Sequence, residues 1–419
     1  MLSSKLLKTL LLAGVGISCV NGIAPAVAGD DVASIVKDGK FFGHARYRYE
    51  FVDQDGIAND AKASTVRTNI AFKTGEYKDF QAMIEGQVVR NIGANSFNST
   101  TNGKTTYPTV ADPNVAEINQ AWVTWSGLPD TVVKVGRQAV NLDNQRFIGT
   151  VGWRQNDQTY DAILISNSSI ENLGVAYAIV GNVNRIQGND HASGDLSTTT
   201  HLLNASYKAA DWLKLTAYGY WLDIDEAAGS SNKTYGVRAT GKTAINDDWT
   251  FAYEAEIAKQ SDHGDNTSNY DEKYYHIAPS ISGYGVTLQA GYELLGGDGT
   301  DAFQTPLATG HKFNGWADKF LTTPANGLED AYAKIAYKFS DTHSLVDGIK
   351  VAAIYHEFDG DKSADYGSEL DIVVTKSYKL PEGQPFEKLN WTLKYADYDA
   401  DDAAYTDTKK IWFQVGVNF

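Results

Sequence analysis

The last eleven residues, Lys409–Phe419, read KKIWFQVGVNF. Ile411, Phe413, Val415, Val417 and Phe419 fall on one parity, and Trp412, Gln414, Gly416 and Asn418 fall on the other. Strict two-residue alternation marks a strand with one apolar face. Working back along the chain, almost every segment has the same character, and no helical period competes with it. An apolar face common to so many strands needs a common environment. Lipid around a closed barrel supplies one, because a barrel satisfies all its backbone donors and acceptors without water. The bland alternative is an ordinary edge strand of a soluble sheet.

The alternating segments span 39–52, 62–75, 79–91, 115–126, 131–138, 158–167, 173–184, 198–209, 212–223, 233–244, 248–260, 270–282, 285–295, 328–340, 348–359, 367–379, 387–398 and 409–419. They predict an all-β, antiparallel transmembrane barrel of eighteen strands. Sixteen is the alternative if the weak hairpin 158–184 is not one. Connections after strands 2, 4, 8, 10 and 12 are brief, whereas those after strands 3, 5, 7 and 13 are long and polar, the longest covering 296–327. Such alternation separates short periplasmic turns from long extracellular loops.

Residues 1–28 have the layout of a secretory signal: Lys5 and Lys8, an apolar run from Thr9 to Val20, then Ala26-Val27-Ala28 before Gly29. The expected mature chain is one barrel domain, 29–419. Cys19, the only cysteine, lies in the signal, so no disulfide or thiolate chemistry is expected afterwards. A lipid-modified Cys19 is the alternative, but Gly16-Ile17-Ser18 lacks the usual leucine. Removing Lys5 and Lys8 leaves 34 basic against 52 acidic residues, a formal charge of −18. Nucleic acid is therefore not an expected partner, since phosphate binding needs surplus positive charge. Beyond the signal no apolar run reaches the roughly 18 residues of a membrane helix, so any crossing uses strands.

Parity assigns faces. In the first strand Tyr47, Tyr49 and Phe51 oppose His44, Arg46, Arg48 and Glu50; in the second Val66, Ile70 and Phe72 oppose Arg67, Asn69 and Lys73. A charge at bilayer depth on the lipid face costs roughly 2–4 kcal/mol, so Arg46, Arg48 and Arg67 belong to the lumen. Paired residue numbers must then sum to an odd value, as with Arg48 opposite Arg67. Glu85 and Gln87 face inward from the third strand, and Lys394 from the seventeenth against Trp391, Leu393 and Tyr395. Arg137 and Lys134 have opposite parity; the expectation is Arg137 in the lumen, with Lys134 snorkelling at the periplasmic rim. Eight of nine arginines precede residue 186. A guanidinium grips carboxylates bidentately, so they could pass a polyanion along, or pair with Glu50, Glu85, Glu117 and Asp161 as a salt-bridged wall.

The block Val135–Ala162, VGRQAVNLDNQRFIGTVGWRQNDQTYDA, resembles the alginate-export family of outer-membrane porins, as do RYRYEFVDQDG (46–56) and ADPNVAEINQAW (111–122). The resemblance implies an eighteen-stranded barrel, an arginine-rich, water-filled passage and a strand-five-to-six loop folded toward it. The matching positions are Gly136, Arg137, Gln138, Arg146, Phe147, Gly149, Trp153, Arg154 and Asp161. The expected pore-lining residues are Arg46, Arg48, Arg67, Glu85, Arg137, Arg146, Arg154 and Asp161. The terminal strand ending at Phe419 resembles the signal read by the barrel-assembly machinery. Expected partners are small hydrophilic or anionic carbohydrate solutes such as uronate oligomers, with outer-membrane lipid and lipopolysaccharide outside; a general or neutral-sugar porin is the alternative.

No cofactor or metal site is expected. Asp397, Asp399 and Asp401 have the spacing of a calcium loop, but Asp402 stands where Gly is needed and Thr408 where Glu is needed. An enzyme in the barrel is the other class of reading. None of the eight histidines has metal-ligand spacing, and no serine sits in a G-x-S-x-G elbow. A plugged transporter would need a folded domain before the first strand, where only Gly29–Asp38 stands.

Overall fold

The computed structural model describes residues 32–340, 343 and 345–419; the signal segment 1–28, Cys19 and the expected start at Gly29 lie outside them. A four-residue helix, α1 (Ser34–Lys37), leads into β1 (Lys40–Gln54) and β2 (Ala61–Lys73). There follow β3 (Phe80–Ser96), β4 (Val115–Leu128), β5 (Thr131–Gln138), β6 (Thr159–Asn167), β7 (Leu173–Asn184), β8 (Asp195–Ala210) and β9 (Leu213–Leu222). Next come β10 (Asn232–Ala244), β11 (Trp249–Asp262) and β12, which is broken at Ala278-Pro279 into Asp271–Ile277 and Ser280–Gly283. The last six are β13 (Val286–Leu295), β14 (Leu328–Lys338), β15 (Lys350–Asp359), β16 (Asp365–Lys379), β17 (Lys388–Asp399) and β18 (Thr408–Asn418). Proline carries no N–H for the ladder, which explains the break.

Every strand pairs antiparallel with its chain neighbours, and β18 pairs with β1, so eighteen strands close a barrel with no free edge. All eighteen expected segments are present, the 158–184 hairpin among them. At the seam the Phe419 carbonyl accepts from Gly43 N–H at 2.8 Å, and Phe419 N–H donates to Gly43 O at 3.0 Å. A Cβ at Gly43 would come within 2.8 Å of the Phe419 ring. Only glycine fits there.

The two faces differ as parity requires. Ile70, Ile84, Val123, Leu288, Ile335, Leu393 and Phe413 point out and are exposed, while Arg46, Arg48, Glu50, Arg67, Glu85 and Lys394 point in and are buried. Exposed Phe41, Phe80, Trp212 and Tyr284 stand at the short-turn end, where aromatic girdles meet a membrane interface. So broad an apolar band would not stay soluble. The first hairpin does have odd-sum pairing, but its register differs from the example in mind: Arg46 lies opposite Arg67, and Arg48 opposite Thr65. Parity fixes the face, whereas the β1–β2 turn fixes the slide along it.

The lumen is not simply water-filled. The β5–β6 loop (139–158) folds in as the resemblance implies. The β13–β14 loop (296–327), expected outside, folds in beside it. Phe147 packs on Tyr218, Tyr274 and Phe303 with ring centroids 5.4, 5.3 and 5.9 Å apart, forming with Leu307, Ile148 and Tyr220 an apolar core inside the barrel.

Candidate functional site: the two-loop constriction

The inward loops join in mid-lumen. Gly149 N–H donates to Leu307 O at 2.9 Å, Thr309 N–H to Gln145 O at 3.0 Å, and Val151 N–H to Thr309 Oγ1 at 3.1 Å. A Cβ on Gly149 would sit 2.2 Å from Thr309 Oγ1, so glycine permits this approach.

On the β1–β2 wall the arginines hold the 139–158 loop. Arg46 donates from Nε to Gln155 Oε1 at 2.9 Å, from Nη1 to Gly152 O at 3.0 Å, and from Nη2 to Arg154 O. Arg48 donates to Trp153 O and to Gln414 Oε1 at 2.9 Å, stacks 4.2 Å above Trp153 and pairs with Asp112 at 3.5 Å. Arg67 reaches Asp157 at 2.5 Å and Gln155 O at 3.4 Å. These three guanidinium groups are lumen-facing, as parity requires, but they are filled by loop acceptors. Glu85 likewise accepts from Asn119 at 2.7 Å and from Asn69 at 3.3 Å.

The facing wall is acidic and holds the 296–327 loop. Glu369 accepts from the backbone N–H of Trp316 at 2.5 Å and of Ala317 at 2.7 Å. Asn314 donates to Glu293 at 2.6 Å and to Asp330 at 3.1 Å. Arg146 crosses between the loops to Glu293 at 2.8 Å and Asn314 at 2.9 Å. Arg154 spans Glu50 at 3.1 Å and Asp318 at 2.9 Å. Breaking one partner of such a buried pair is costly, because an uncompensated charge is left behind.

Lys394 closes the constriction. Its ammonium lies 4.1, 3.6 and 5.2 Å from the ring centroids of Trp153, Trp316 and Trp412, one from each loop and one from β18. It also meets His311 Nε2 at 2.7 Å, while His311 Nδ1 meets Asp318 at 2.7 Å. Burial pushes His311 well below its ordinary pKa despite Asp318. The ring is therefore neutral, with Nδ1–H donating to the carboxylate and Nε2 accepting from lysine.

Arg137 and Asp161 are a correction. They form a bidentate pair at 2.8 and 3.0 Å, but on the outer face, because Arg137 pairs in register with Ala121 and Asp161 while Lys134 pairs with Thr124 and Leu164. Lys134 turns inward, its ammonium 4.3 Å from the Trp122 ring. β5 has only eight residues, so Arg137 stands near the long-loop rim, where a lipid-side charge costs about 0–1 kcal/mol. Asp397 and Asp399 lie on β17, with Lys409 bonded to Asp397 at 3.6 Å, so the strand pulls apart the calcium-loop spacing. Among the described residues no group of three His, Cys, Asp or Glu is placed to hold a metal.

A family model described as alginate export matches residues 39–311. The chain belongs to the alginate export family. No curated protein matches the sequence. This alginate export family member superposes on Acinetobacter baumannii OccAB2 with a TM-score of 0.72 at 17% identity, covering 92% of this chain and 99% of that one. Pseudomonas aeruginosa OpdK, solved with vanillate, gives 0.71 at 14%, with 92% and 99% covered; Acinetobacter baumannii OccAB3 gives 0.70 at 15%, with 92% and 100%. At these identities the likeness is one of fold. Family and fold together make the protein a bacterial outer-membrane channel of porin type.

Residues missed in the sequence include His311, Trp316, Asp318 and Asn314 of the 296–327 loop. The available signal was its aromatic content: Phe303, Phe313, Trp316 and Phe320 are more than a solvated loop needs.

Proposed function

We propose that this channel passes small hydrophilic solutes passively and prefers anions, uronate oligomers or alginate-like chains being the class that fits the family. One observation carries the preference. On the long-loop side a cavity of about 670 Å³ is lined by four cations, Arg154, Arg185, Lys319 and Lys410, against one carboxylate, Asp318. Salt screens exposed charges beyond roughly 8 Å, whereas a confined wall focuses its own field. Local sign therefore outweighs the acidic outer loops. OpdK, similar in fold, was solved with vanillate, a carboxylate.

The second reading is a general or neutral-sugar porin with a salt-bridged wall, and it draws support from the ion pairs of Arg48, Arg67, Arg146, Arg154 and Arg238. Planar bilayers under a salt gradient separate the two. Anion preference in the reversal potential, with stronger block by uronate oligomers than by neutral ones of equal length, supports the first reading; a cation-selective channel indifferent to uronates supports the second. In either case long loops outward, lipopolysaccharide against them and delivery to the assembly machinery through the Phe419 strand belong to the same proposal.

A further inference from the structure

Resting on the anion-channel reading, we infer that Arg185 and Lys319, not the strand arginines, form the carboxylate subsite that sets selectivity. Arg46, Arg48 and Arg67 are occupied by oxygens of the 139–158 loop. Arg154 and Lys410 are neutralised by Asp318 at 2.9 and 3.1 Å. Arg185 and Lys319 line the same cavity and have no ion-pair partner among the described residues. Nε of Arg185 is buried without any hydrogen-bond partner, which is the state expected of a donor awaiting an acceptor, since a buried unsatisfied polar group is otherwise costly. The Lys319 ammonium has only Thr406 Oγ1 at 3.4 Å and the Tyr398 ring at 5.3 Å.

The backbone holds the guanidinium in place. Arg185 N–H donates to Gly194 O at 2.8 Å, and Arg185 O accepts from Gly188 N–H and from Asn156 of the inward loop. A second cavity of about 440 Å³ shares Arg185, Pro306 and Leu321 with the first. An extended oligomer entering the larger space can therefore run past Arg185 into the smaller. Repeating carboxylates suit that path, each taking a charge-assisted bond from a cation that gives up no internal partner to make it.

The test uses the full channel in planar bilayers with uronate trimers and neutral trimers as blockers. Arg185→Gln and Lys319→Gln together should raise the uronate half-blocking concentration roughly tenfold, the loss of one charge-assisted contact, and reduce anion preference. Neutral trimers should block as before. Neither side chain supports a fold contact beyond Thr406, so heat-modifiable barrel should form normally. If the double variant keeps wild-type uronate block and selectivity, the subsite is overturned while the anion reading stands. A wild-type channel with no anion preference would remove both.

Discussion

Arg46 and Arg67 are directly opposed across the first hairpin, two like charges on one face of the wall. Such a pair alone is destabilising. Here both are turned toward one acceptor-rich stretch, with Gly152 O, Arg154 O and Gln155 serving Arg46 and Asp157 serving Arg67. The repulsion is thus converted into attachment of the inward loop, and the pair works as a clamp.

Arg46→Ala should therefore free the loop rather than abolish a solute site. Hydrogen bonds to a charged group contribute about 1.5–3 kcal/mol, so amides at 152–155 should exchange faster by one to two orders of magnitude. Single-channel current should become larger and noisier, while anion preference persists. A quiet channel of unchanged conductance would contradict the clamp.

Asp318 is shared by Arg154, Lys410 and His311 at 2.9, 3.1 and 2.7 Å. Asp318→Asn leaves Lys410 without its carboxylate and weakens three contacts together. The expected cost is about 3–5 kcal/mol, seen as a lower temperature for the shift from folded to unfolded mobility in detergent. An unshifted transition would mean that the 296–327 loop is held mainly by Glu369 and Glu293.

How much of this the sequence disclosed follows from what imposes a period. Lipid on one side and polar groups on the other force two-residue alternation, so strand bounds and the inward set Arg46, Arg48, Arg67, Glu85 and Lys394 were legible. Parity says nothing about slides by two, which is why Arg46 rather than Arg48 meets Arg67. Loop packing has no period at all. The partners of Arg46 are carbonyls, which every residue carries, and nothing in the sequence names them. Arg137 failed because the choice between it and Lys134 rested on the β4–β5 register, with Thr124 opposite Lys134.

The seam gives a third prediction. Phe419 donates to and accepts from Gly43 and lays its ring over that glycine. Deleting Phe419, or replacing it with Asp, should reduce heat-modifiable barrel in outer-membrane fractions and leave unfolded chain in the periplasm. Gly43→Val should do likewise, since its side chain would meet the Phe419 ring and the Asn69 carbonyl at 2.4 Å. Normal yields of all three would detach closure from this contact.

The last prediction concerns pH and isolates Lys319. Burial lowers its pKa to about 8, and Lys410 pushes the same way against Glu369 and Asp407. The groups around it are thus Lys410 from β18, Glu369 from β16, the Tyr398 ring from β17 and Asp407 and Tyr405 from the β17–β18 loop, with Asp318 adjacent in sequence. The sign follows from the lowered value. The ammonium is present below about 8 and is lost as pH rises through it, whereas an ordinary lysine would stay charged to about 10. Uronate block should accordingly be strong at pH 7 and weaken several-fold by pH 9, with neutral trimers unaffected. Lys319→Arg should flatten the profile, because a guanidinium keeps its proton throughout. Arg185→Gln should lower affinity at both pH values and keep the slope. A wild-type block that is flat between pH 7 and 9 would show that the solute's carboxylate does not meet Lys319.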